Sequence, residues 1–560
     1  MITFRPMPPL VPLPLLSRRV LAFALIAATP AAARAQVYLS HMEDAAPVPT
    51  GALRFRVTTA WTRFDERFAT SGRTPLGDDI STAAFGAAQL PRLAPVERGL
   101  QTLAGDPAIK LSLGRIDAVS DARIVMTPIA LEYGLTRRLS IGAMIPVIQT
   151  RRSFSLRVNP DSTRLGNVGY VPPRLRQTAA TANTLVYDAF RRAADSLATL
   201  IARCPTNPTA NGCAAVNANA ADADATRLQA AQFADAVKRA LGTDTTTTII
   251  APRSDLAGRI DDSRARINAK VQKYLGASAG ASTSVFSTTG SLTYVDLQGR
   301  AATSGLLRSA FGGLDSIKTT NKLVIGGVTL GAQYLLIDRF QHDTIPAHGL
   351  QSRLSIGGSY RFEPNFSDSA ITRGIIGVGD GPGAEVRSAM DVIAGSVGAT
   401  VAARFVKSFP RTIEVPLSGD PEAFFAAPAF GPASVTAGSV LGMDFTPRLF
   451  IGEWLALDGH YGFERTGATT YQLAATAPAT LCPNCGATPP FAPNAASRSA
   501  QRVGFGVRYS SVDAYLRGRA RTPIEVSFTH LETITGDVGV PKLQRDQVQV
   551  RLFLRIRNRR

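Results

Sequence analysis

The chain has 560 residues, of which 18% are charged and 45% are hydrophobic, and its mean hydropathy is +0.05. This balance is too polar for a helical membrane transporter. It is also poorer in charge than a typical soluble protein, in which about a quarter of the residues are charged. The formal charge of +19 fits either nucleic acid or an anionic membrane surface as a partner, and the compartment decides between them.

The first 35 residues have the parts of a secretory signal peptide. The basic pair Arg18-Arg19 precedes an apolar stretch, and Ala33-Arg34-Ala35 forms a small-x-small cleavage site. We therefore expect residues 1–35 to be removed near Ala35 and the mature chain, 36–560, to be exported. Because an exported protein rarely meets nucleic acid, we predict no nucleic-acid partner.

The rest of the chain lacks the sequence pattern of a membrane-spanning helix, which needs about 20 apolar residues in a row. It has instead the period-2 alternation of β-strands. The last strand is the clearest, with Val548, Val550, Leu552 and Leu554 alternating with Gln547, Gln549, Arg551 and Arg555. A strand of about 9–11 residues with one apolar and one polar face is the unit of a transmembrane β-barrel.

Twelve segments carry this alternation in a strong or weak form: 52–64, 122–135, 139–147, 322–338, 353–362, 390–406, 411–417, 434–446, 455–464, 503–510, 523–534 and 547–557. The earlier connections between them are alternately long and short, as in barrels with short periplasmic turns and longer external loops. The sequence therefore predicts an all-β fold, an antiparallel transmembrane β-barrel of about 12 strands in the outer membrane of a Gram-negative-type bacterium. A periplasmic β-sandwich is the alternative, but it has no reason to alternate its loop lengths.

Residues 176–280 differ from the rest of the chain because they are rich in alanine and carry apolar residues at helical spacing. We predict a mostly helical loop insertion, which the strand count places on the external side. The sequence does not choose between a cap over the barrel mouth, a segment inside the lumen and a free helical hairpin. A poorly ordered insertion is the remaining alternative.

The four cysteines, Cys204, Cys213, Cys482 and Cys485, fall in predicted external loops. Exported proteins form disulfides, and the even number and close spacing favour the pairs Cys204–Cys213 and Cys482–Cys485. A zinc or redox site at Cys482-Pro-Asn-Cys485 is the alternative. Zinc would need a second cysteine pair close by, and a redox site would need a thioredoxin-like helix start, which is not visible. We predict no metal and no cofactor.

The predicted polar faces of the strands are rich in arginine. The candidates for the lining of the lumen are Arg54, Arg56, Arg353, Arg361, Asp458, His460, Glu464, Arg508, Glu525, Arg551 and Arg555. This excess of arginine favours anions if the lumen is open, whereas acidic partners that neutralise it would make a closed barrel. Twelve strands lie between filled eight-stranded and open sixteen-stranded barrels, so any pore is narrow.

A barrel enzyme such as a lipid hydrolase would need a paired serine and histidine. His530 is close to Ser527 and Thr529 in the sequence, but nothing at this level brings their side chains together. We therefore predict no catalytic residues.

The segment Glu132–Pro146, with the sequence EYGLTRRLSIGAMIP, resembles a strand–turn–strand element of outer-membrane barrels. These barrels belong to a transporter-like family associated with phenol meta-pathway degradation. The segment Val526–Thr533 and the final strand resemble the end of such barrels. The resemblance covers the strands and not the insertion, and it implies a barrel that takes up small molecules. The family's terminal aromatic residue, which the barrel-insertion machinery reads, is shifted here to Phe553 or weakened.

The function predicted from the sequence is an outer-membrane barrel that passes or binds small solutes, either anionic or apolar. Its partners would be outer-membrane lipid, the solute and the barrel-insertion machinery. A closed structural or surface-interaction barrel without transport is the competing class, and a barrel enzyme is the third.

Overall fold

The structure is a computed structural model that describes residues 44–78, 81–88, 93–161, 166–243, 248–298, 319–340, 349–362, 381–416, 430–473 and 496–555. Twelve strands form one antiparallel sheet that closes into a barrel. They are β1 (Ala52–Phe64), β2 (Ile116–Gly134), β3 (Leu139–Val158), β4 (Thr320–Ile325 continued by Thr329–Asp338), β5 (Leu350–Arg361), β6 (Gly383–Ala394), β7 (Val397–Ser408), β8 (Val440–Ile451), β9 (Leu455–Thr466), β10 (Arg498–Ser510), β11 (Ile524–Gly536) and β12 (Gln544–Arg555).

The barrel closes where the first and last strands meet. Strand β1 pairs with β12 from Ala52 opposite Arg555 to Arg63 opposite Gln544, and it pairs with β2 on its other side. The other strands each pair with their neighbours in chain order. Because β1 and β12 pair with each other, the first and last strands do not leave the sheet with two open edges. The predicted all-β antiparallel barrel of 12 strands is confirmed.

The two ends of the barrel differ in the length of their connections. At one end the connections are mostly tight, such as 135–138, 395–396 and 452–454, and we call this the turn end. At the opposite end, the loop end, long connections such as 65–115 and 159–319 join the strands. The predicted alternation of long and short connections is present in the barrel.

One predicted strand, 390–406, is wrong because it covers parts of two strands. Strands β6 and β7 meet in a hairpin at Gly395 and Ser396, with Ala394 opposite Val397. Gly395 has a φ of 61°, the left-handed conformation that such a turn requires. Apolar residues occupy both phases just before the turn, at Val392 and Ile393, so the alternation hides the point where the chain reverses.

A second predicted strand, 411–417, is not part of the barrel. Arg411–Pro416 pairs with Phe430–Thr436, which pairs with Thr470–Leu473, in a separate three-stranded sheet formed from the loop-end connections. The predicted short turn 407–410 therefore leads into a loop-end connection. The total of twelve is correct because the two errors cancel.

The helices come from two loop-end connections. They are α1 (Ala94–Ala104), α2 (Arg176–Arg203), α3 (Cys213–Ala218), α4 (Ala220–Leu241), α5 (Asp255–Leu275) and α6 (Tyr294–Gln298), and a short α7 (Val512–Leu516) lies at the turn end. A 3₁₀ turn spans Pro173–Leu175, and short strand pairs join Glu66–Ala69 to Gly72–Pro75 and Val168–Tyr170 to Thr248–Ile250. In the part of the chain that the structure describes, no helix is both long and apolar enough to cross a membrane.

Helices α1, α2, α4 and α5 pack into one apolar core. The rings of Phe190 and Phe233 lie 4.7 Å apart between α2 and α4. This core continues into Ile116 and Ala118 of β2 and Leu156 of β3, so the helices rest on the loop ends of these strands. The predicted helical insertion is confirmed. Helix α1, from the first long connection, was not predicted.

The outer face of the barrel is apolar all the way round. Each of the twelve strands exposes at least one large apolar side chain, for example Trp61, Ile129, Ile145, Leu330, Ile356, Val386, Val401, Phe445, Leu457, Val507, Phe528 and Leu554. We call this set the apolar belt. A continuous exposed belt of this kind indicates an apolar environment around the protein, because soluble monomers rarely expose large contiguous apolar patches.

Candidate solute pathway through the barrel lumen

The lumen contains a cavity of about 200 Å³ lined by Asp44 and by residues of β6 to β12. Arginines outnumber acidic residues in this lining. The seven arginines are Arg387, Arg404, Arg448, Arg502, Arg508, Arg545 and Arg551, and the four acids are Asp44, Asp444, Asp458 and Glu464. The charge of the cavity wall is therefore positive.

Toward the turn end, charged side chains of adjacent strands form two groups of ion pairs, Glu132 with Arg54 and the series from Arg551 to Arg448, which we together call the turn-end girdle. Its members are Glu132, Arg54, Arg551, Glu525, Arg508, Asp458 and Arg448. Arg551 lies 3.2 Å from Glu525, and Arg508 lies 3.5 Å from both Glu525 and Asp458. Each charge is thus held by a neighbour on the next strand, which fixes the arginines on the inner wall.

A second group of charges, the loop-side cluster, lies further toward the loop end. Glu464 of β9 accepts from Arg404 of β7 at 2.7 Å and from Arg502 of β10 at 3.2 Å. One carboxylate thus balances two guanidinium groups. The remaining positive charge in this part of the cavity can attract an anion.

The structure brings most of the predicted lining residues together. Asp458, His460, Glu464, Arg508 and Arg551 line the cavity. Arg54, Arg56 and Glu525 lie beside it in ion pairs of the inner wall, with Arg56 3.4 Å from Glu132. His460 lies 3.2 Å from the Thr446 hydroxyl.

Three predicted residues lie outside the lining of this cavity. Arg353 pairs with Asp391 at 2.7 Å between β5 and β6. Arg361 donates to the Gly381 carbonyl at 3.1 Å near the loop end. Arg555 lies in β12 opposite Ala52, and its side chain is outside the described set.

Several residues that line the cavity were not predicted, because the predicted bounds of their strands differ from the observed ones. Arg387 and Arg545 fell in predicted loops, although they belong to β6 and β12. Arg404 and Arg448 lie in or next to predicted strands, and the alternation there was too weak to assign a face. Asp44 belongs to no strand, so periodicity carries no signal for it.

Residues 44–49 run inside the barrel, and we call them the inner segment. The Asp44 carboxylate pairs with Arg551 and lies 3.8 Å from Nη1 of Arg54. On the opposite side of the lumen, Ala45 is fully buried against Ala389 of β6 and Ala402 of β7. The segment therefore spans the lumen from one wall to the other.

Further contacts fix the inner segment. The Asp44 carbonyl accepts from Nε2 of Gln333 at 2.6 Å, and the Val48 N–H donates to the Ser140 hydroxyl at 2.8 Å. At the turn end the segment passes very close to Gly134 of β2. A Cβ at this position would lie 2.2 Å from the Pro49 carbonyl oxygen, so only glycine leaves room for the chain.

The two cysteines that the structure describes form a disulfide with each other. Cys204 and Cys213 form a disulfide that joins the end of α2 to the start of α3. The second predicted pair, Cys482 and Cys485, lies outside the described residues. No group of three or more metal-ligating side chains occurs in the part of the chain that the structure describes.

His530 does not meet its sequence neighbours Ser527 and Thr529. Its Nδ1 lies 2.7 Å from the Asp546 carboxylate, and its ring contacts Phe505, which belongs to the exposed outer face. Ser527 and Thr529 line the cavity on the inner face. The strand places the histidine and the hydroxyl groups on opposite sides of the wall.

Comparison with known proteins gives distant structural likenesses only. No family model and no curated protein matches the chain. Among solved structures, an outer-membrane channel from Pseudomonas putida F1 is 8% identical with a TM-score of 0.38, covering 92% of this chain and 100% of that chain. The Pseudomonas putida toluene transporter TodX is 10% identical with a TM-score of 0.23, covering 94% of both chains.

A third likeness is the translocator domain of the autotransporter NalP from Neisseria meningitidis. It is 6% identical with a TM-score of 0.28, covering 91% of this chain and 90% of that domain. The identities and TM-scores of all three are low. These likenesses therefore carry no argument about the function of this chain.

Proposed function

We propose that the protein is an outer-membrane channel that passes small anionic solutes through its arginine-lined lumen. The observation that carries the proposal is the division of the barrel wall into an apolar outer face and a positively charged inner face. Each strand contributes an exposed apolar residue to the belt, while the cavity lining holds seven arginines and four acids. Lipid outside and polar solute inside is the arrangement that transmembrane barrels use.

The outer membrane is the compartment that fits this barrel. The sequence carries the features of an export signal with cleavage near Ala35. Its resemblance to transporter-like barrels agrees with uptake of small molecules. We assign the turn end to the periplasm and the loop end to the cell exterior, because outer-membrane barrels have short periplasmic turns.

The charge and volume of the cavity support a small anionic solute. An arginine-rich pore lowers the energy of an anion and raises that of a cation. The cavity of about 200 Å³ is smaller than the roughly 300–1,000 Å³ of pockets for drug-sized ligands. The solute would therefore be a small anion.

A closed barrel without transport is the second candidate, and the inner segment favours it. Asp44 and Ala45 contact opposite walls of the lumen and narrow the path. The two candidates differ in whether anions cross a membrane that contains the protein.

Efflux from proteoliposomes tests the channel proposal. Vesicles that contain the protein and tracer chloride and potassium ions, with the same potassium chloride concentration on both sides, should release the chloride tracer faster than the potassium tracer. Arg502→Gln should lower the ratio of chloride to potassium efflux about 25-fold, because one charge about 4 Å from an ion changes the energy of that ion by about 1 kcal/mol, about fivefold, and acts with opposite sign on chloride and on potassium. Efflux equal to that of protein-free vesicles would contradict a channel and support the closed barrel.

Arg98→Gln is the matched control for the arginine variant. Arg98 is an exposed residue of α1 and does not line the cavity. Its substitution removes the same charge and should leave the efflux ratio unchanged. An equal change in both variants would assign the effect to total charge and not to the lumen.

A further inference from the structure

Asp44 differs from the other acids that line the cavity because it belongs to the inner segment and not to the wall. Its carboxylate pairs with Arg551 of β12 and lies 3.8 Å from Nη1 of Arg54 on the adjacent β1. The two arginines are 4% and 2% exposed. A carboxylate from outside the wall thus occupies a place between two buried guanidinium groups.

Ion pairs with acidic residues of the barrel wall hold the two arginines in position. Arg54 donates to Glu132 of β2, and Arg551 lies 3.2 Å from Glu525 of β11. Because each arginine has its own wall acid, both remain oriented when Asp44 is removed. Charge-assisted hydrogen bonds from two such arginines favour a carboxylate or a similar small oxyanion.

The inner segment is bound to the wall differently from a strand. Its main-chain hydrogen bonds before Pro49 run to the side chains of Gln333 and Ser140. Its apolar contact at Ala45 is with two alanines, Ala389 and Ala402, which bury little area. The carboxylate of such a segment can leave its place, and a carboxylate from solution can replace it, while the barrel stays folded.

We propose that Arg54 and Arg551 form a carboxylate-binding site, and that Asp44 occupies this site as a tethered competitor of an anionic solute. The inference rests on the proposed channel function, since it names the place in the lumen where the solute binds. A tethered group acts at an effective concentration of about millimolar order. A solute therefore displaces Asp44 only when it is more concentrated or binds more tightly than the tether.

Titration calorimetry with acetate tests the site, because acetate has the size and charge of the aspartate side chain. The Asp44→Ala variant in detergent should bind acetate at least about tenfold more tightly than the unsubstituted protein, in which the tether competes. Acetamide, the neutral analogue, should bind neither protein. The isosteric Asp44→Asn variant keeps the size of the side chain and should show the same direction of change.

Two further variants separate this site from the rest of the lumen. Asp444→Ala removes another cavity-lining carboxylate that belongs to the wall, and it should leave acetate binding as in the unsubstituted protein. Arg551→Gln, added to Asp44→Ala, should abolish the binding that the single substitution creates. Equal acetate titrations for the unsubstituted protein, Asp44→Ala and Asp44→Asn would overturn the proposal.

Calorimetry and efflux together distinguish the failure of this site from the failure of the channel. Acetate binding to Asp44→Ala without anion efflux would keep the carboxylate site and refute the channel. Efflux of chloride with no gain in acetate binding would keep the channel and refute the site.

Discussion

At the scale of single residues, the lumen is organised by the unequal pairing of arginines and acids. Glu464 contacts both Arg404 and Arg502, and Asp458 contacts both Arg448 and Arg508. One acid holding two arginines fixes the guanidinium groups and leaves net positive charge. Replacing such an acid would leave buried like charges together, a change that typically costs about 3–5 kcal/mol.

The close passage of the inner segment at Gly134 leads to a prediction. Gly134→Ala places a methyl group 2.2 Å from the Pro49 carbonyl oxygen and 2.4 Å from that of Val48, so the segment has to move. We expect chloride efflux from proteoliposomes to increase, because the displaced segment no longer spans the lumen.

Gly358→Ala is the control for this substitution. Gly358 also lies in a barrel strand, and a Cβ there would be 3.7 Å from the nearest backbone atom, an ordinary contact. It should leave efflux unchanged. Unchanged efflux in Gly134→Ala, with the barrel folded, would contradict the role of the inner segment.

The site could be predicted in part from single residues. Arg508 and Arg551 lie in strands whose apolar and polar residues alternate strictly, so the sequence predicts that their side chains face the lumen. Arg387 and Arg545 were missed because their strands begin earlier than the alternation shows. Asp44 could not be found, since its position depends on contacts with strands far away in the chain and no local pattern encodes them.

At the scale of elements, the sequence predicts strands with a clean alternation, but it does not separate two strands that a tight turn joins. Strand β12 keeps apolar and polar residues in strict phase. The alternation across the β6–β7 hairpin predicts a single strand, because apolar residues on both phases conceal its turn at Gly395. Helix α1 carries its own signals, Pro95 in its first turn and Gly105 with a φ of 65° after its end.

Helices α4 and α5 are linked by a titratable contact. Hydrogen bonds from Tyr274 and Lys273 hold the pKa of Asp222 below its ordinary value of 3.8. A lowered pKa in the folded state means that the ionised carboxylate stabilises the helices above pH 3.8. This contribution is lost as the pH falls through the lower, folded-state pKa of Asp222.

Asp222→Asn tests this link. At neutral pH the variant should show faster hydrogen exchange in α4 and α5 than the unsubstituted protein, and the difference should vanish at acid pH as Asp222 becomes protonated. Asp224→Asn is the control, because Asp224 pairs with Arg227 of its own helix at 2.7 Å. Such an exposed pair contributes about 0–1 kcal/mol. A difference that persists when Asp222 is protonated would contradict the contact.

At the scale of the whole molecule, closure joins the two properties on which the function rests. Pairing of β1 with β12 turns one side of every strand outward and the other inward. The outward residues form the apolar belt, and the inward residues bring the turn-end girdle and the loop-side cluster around one cavity. Part of the high positive charge of the chain therefore lies in the lining of the lumen.

Single-channel recording in a planar bilayer with a potassium chloride gradient tests this account most directly. The unsubstituted protein should insert and show discrete openings, and the potential at which the current reverses should lie close to the chloride equilibrium potential. A reversal close to the potassium equilibrium potential would contradict the proposed anion selectivity of the lumen. A chain that stays soluble and never enters the bilayer would contradict the membrane-spanning barrel.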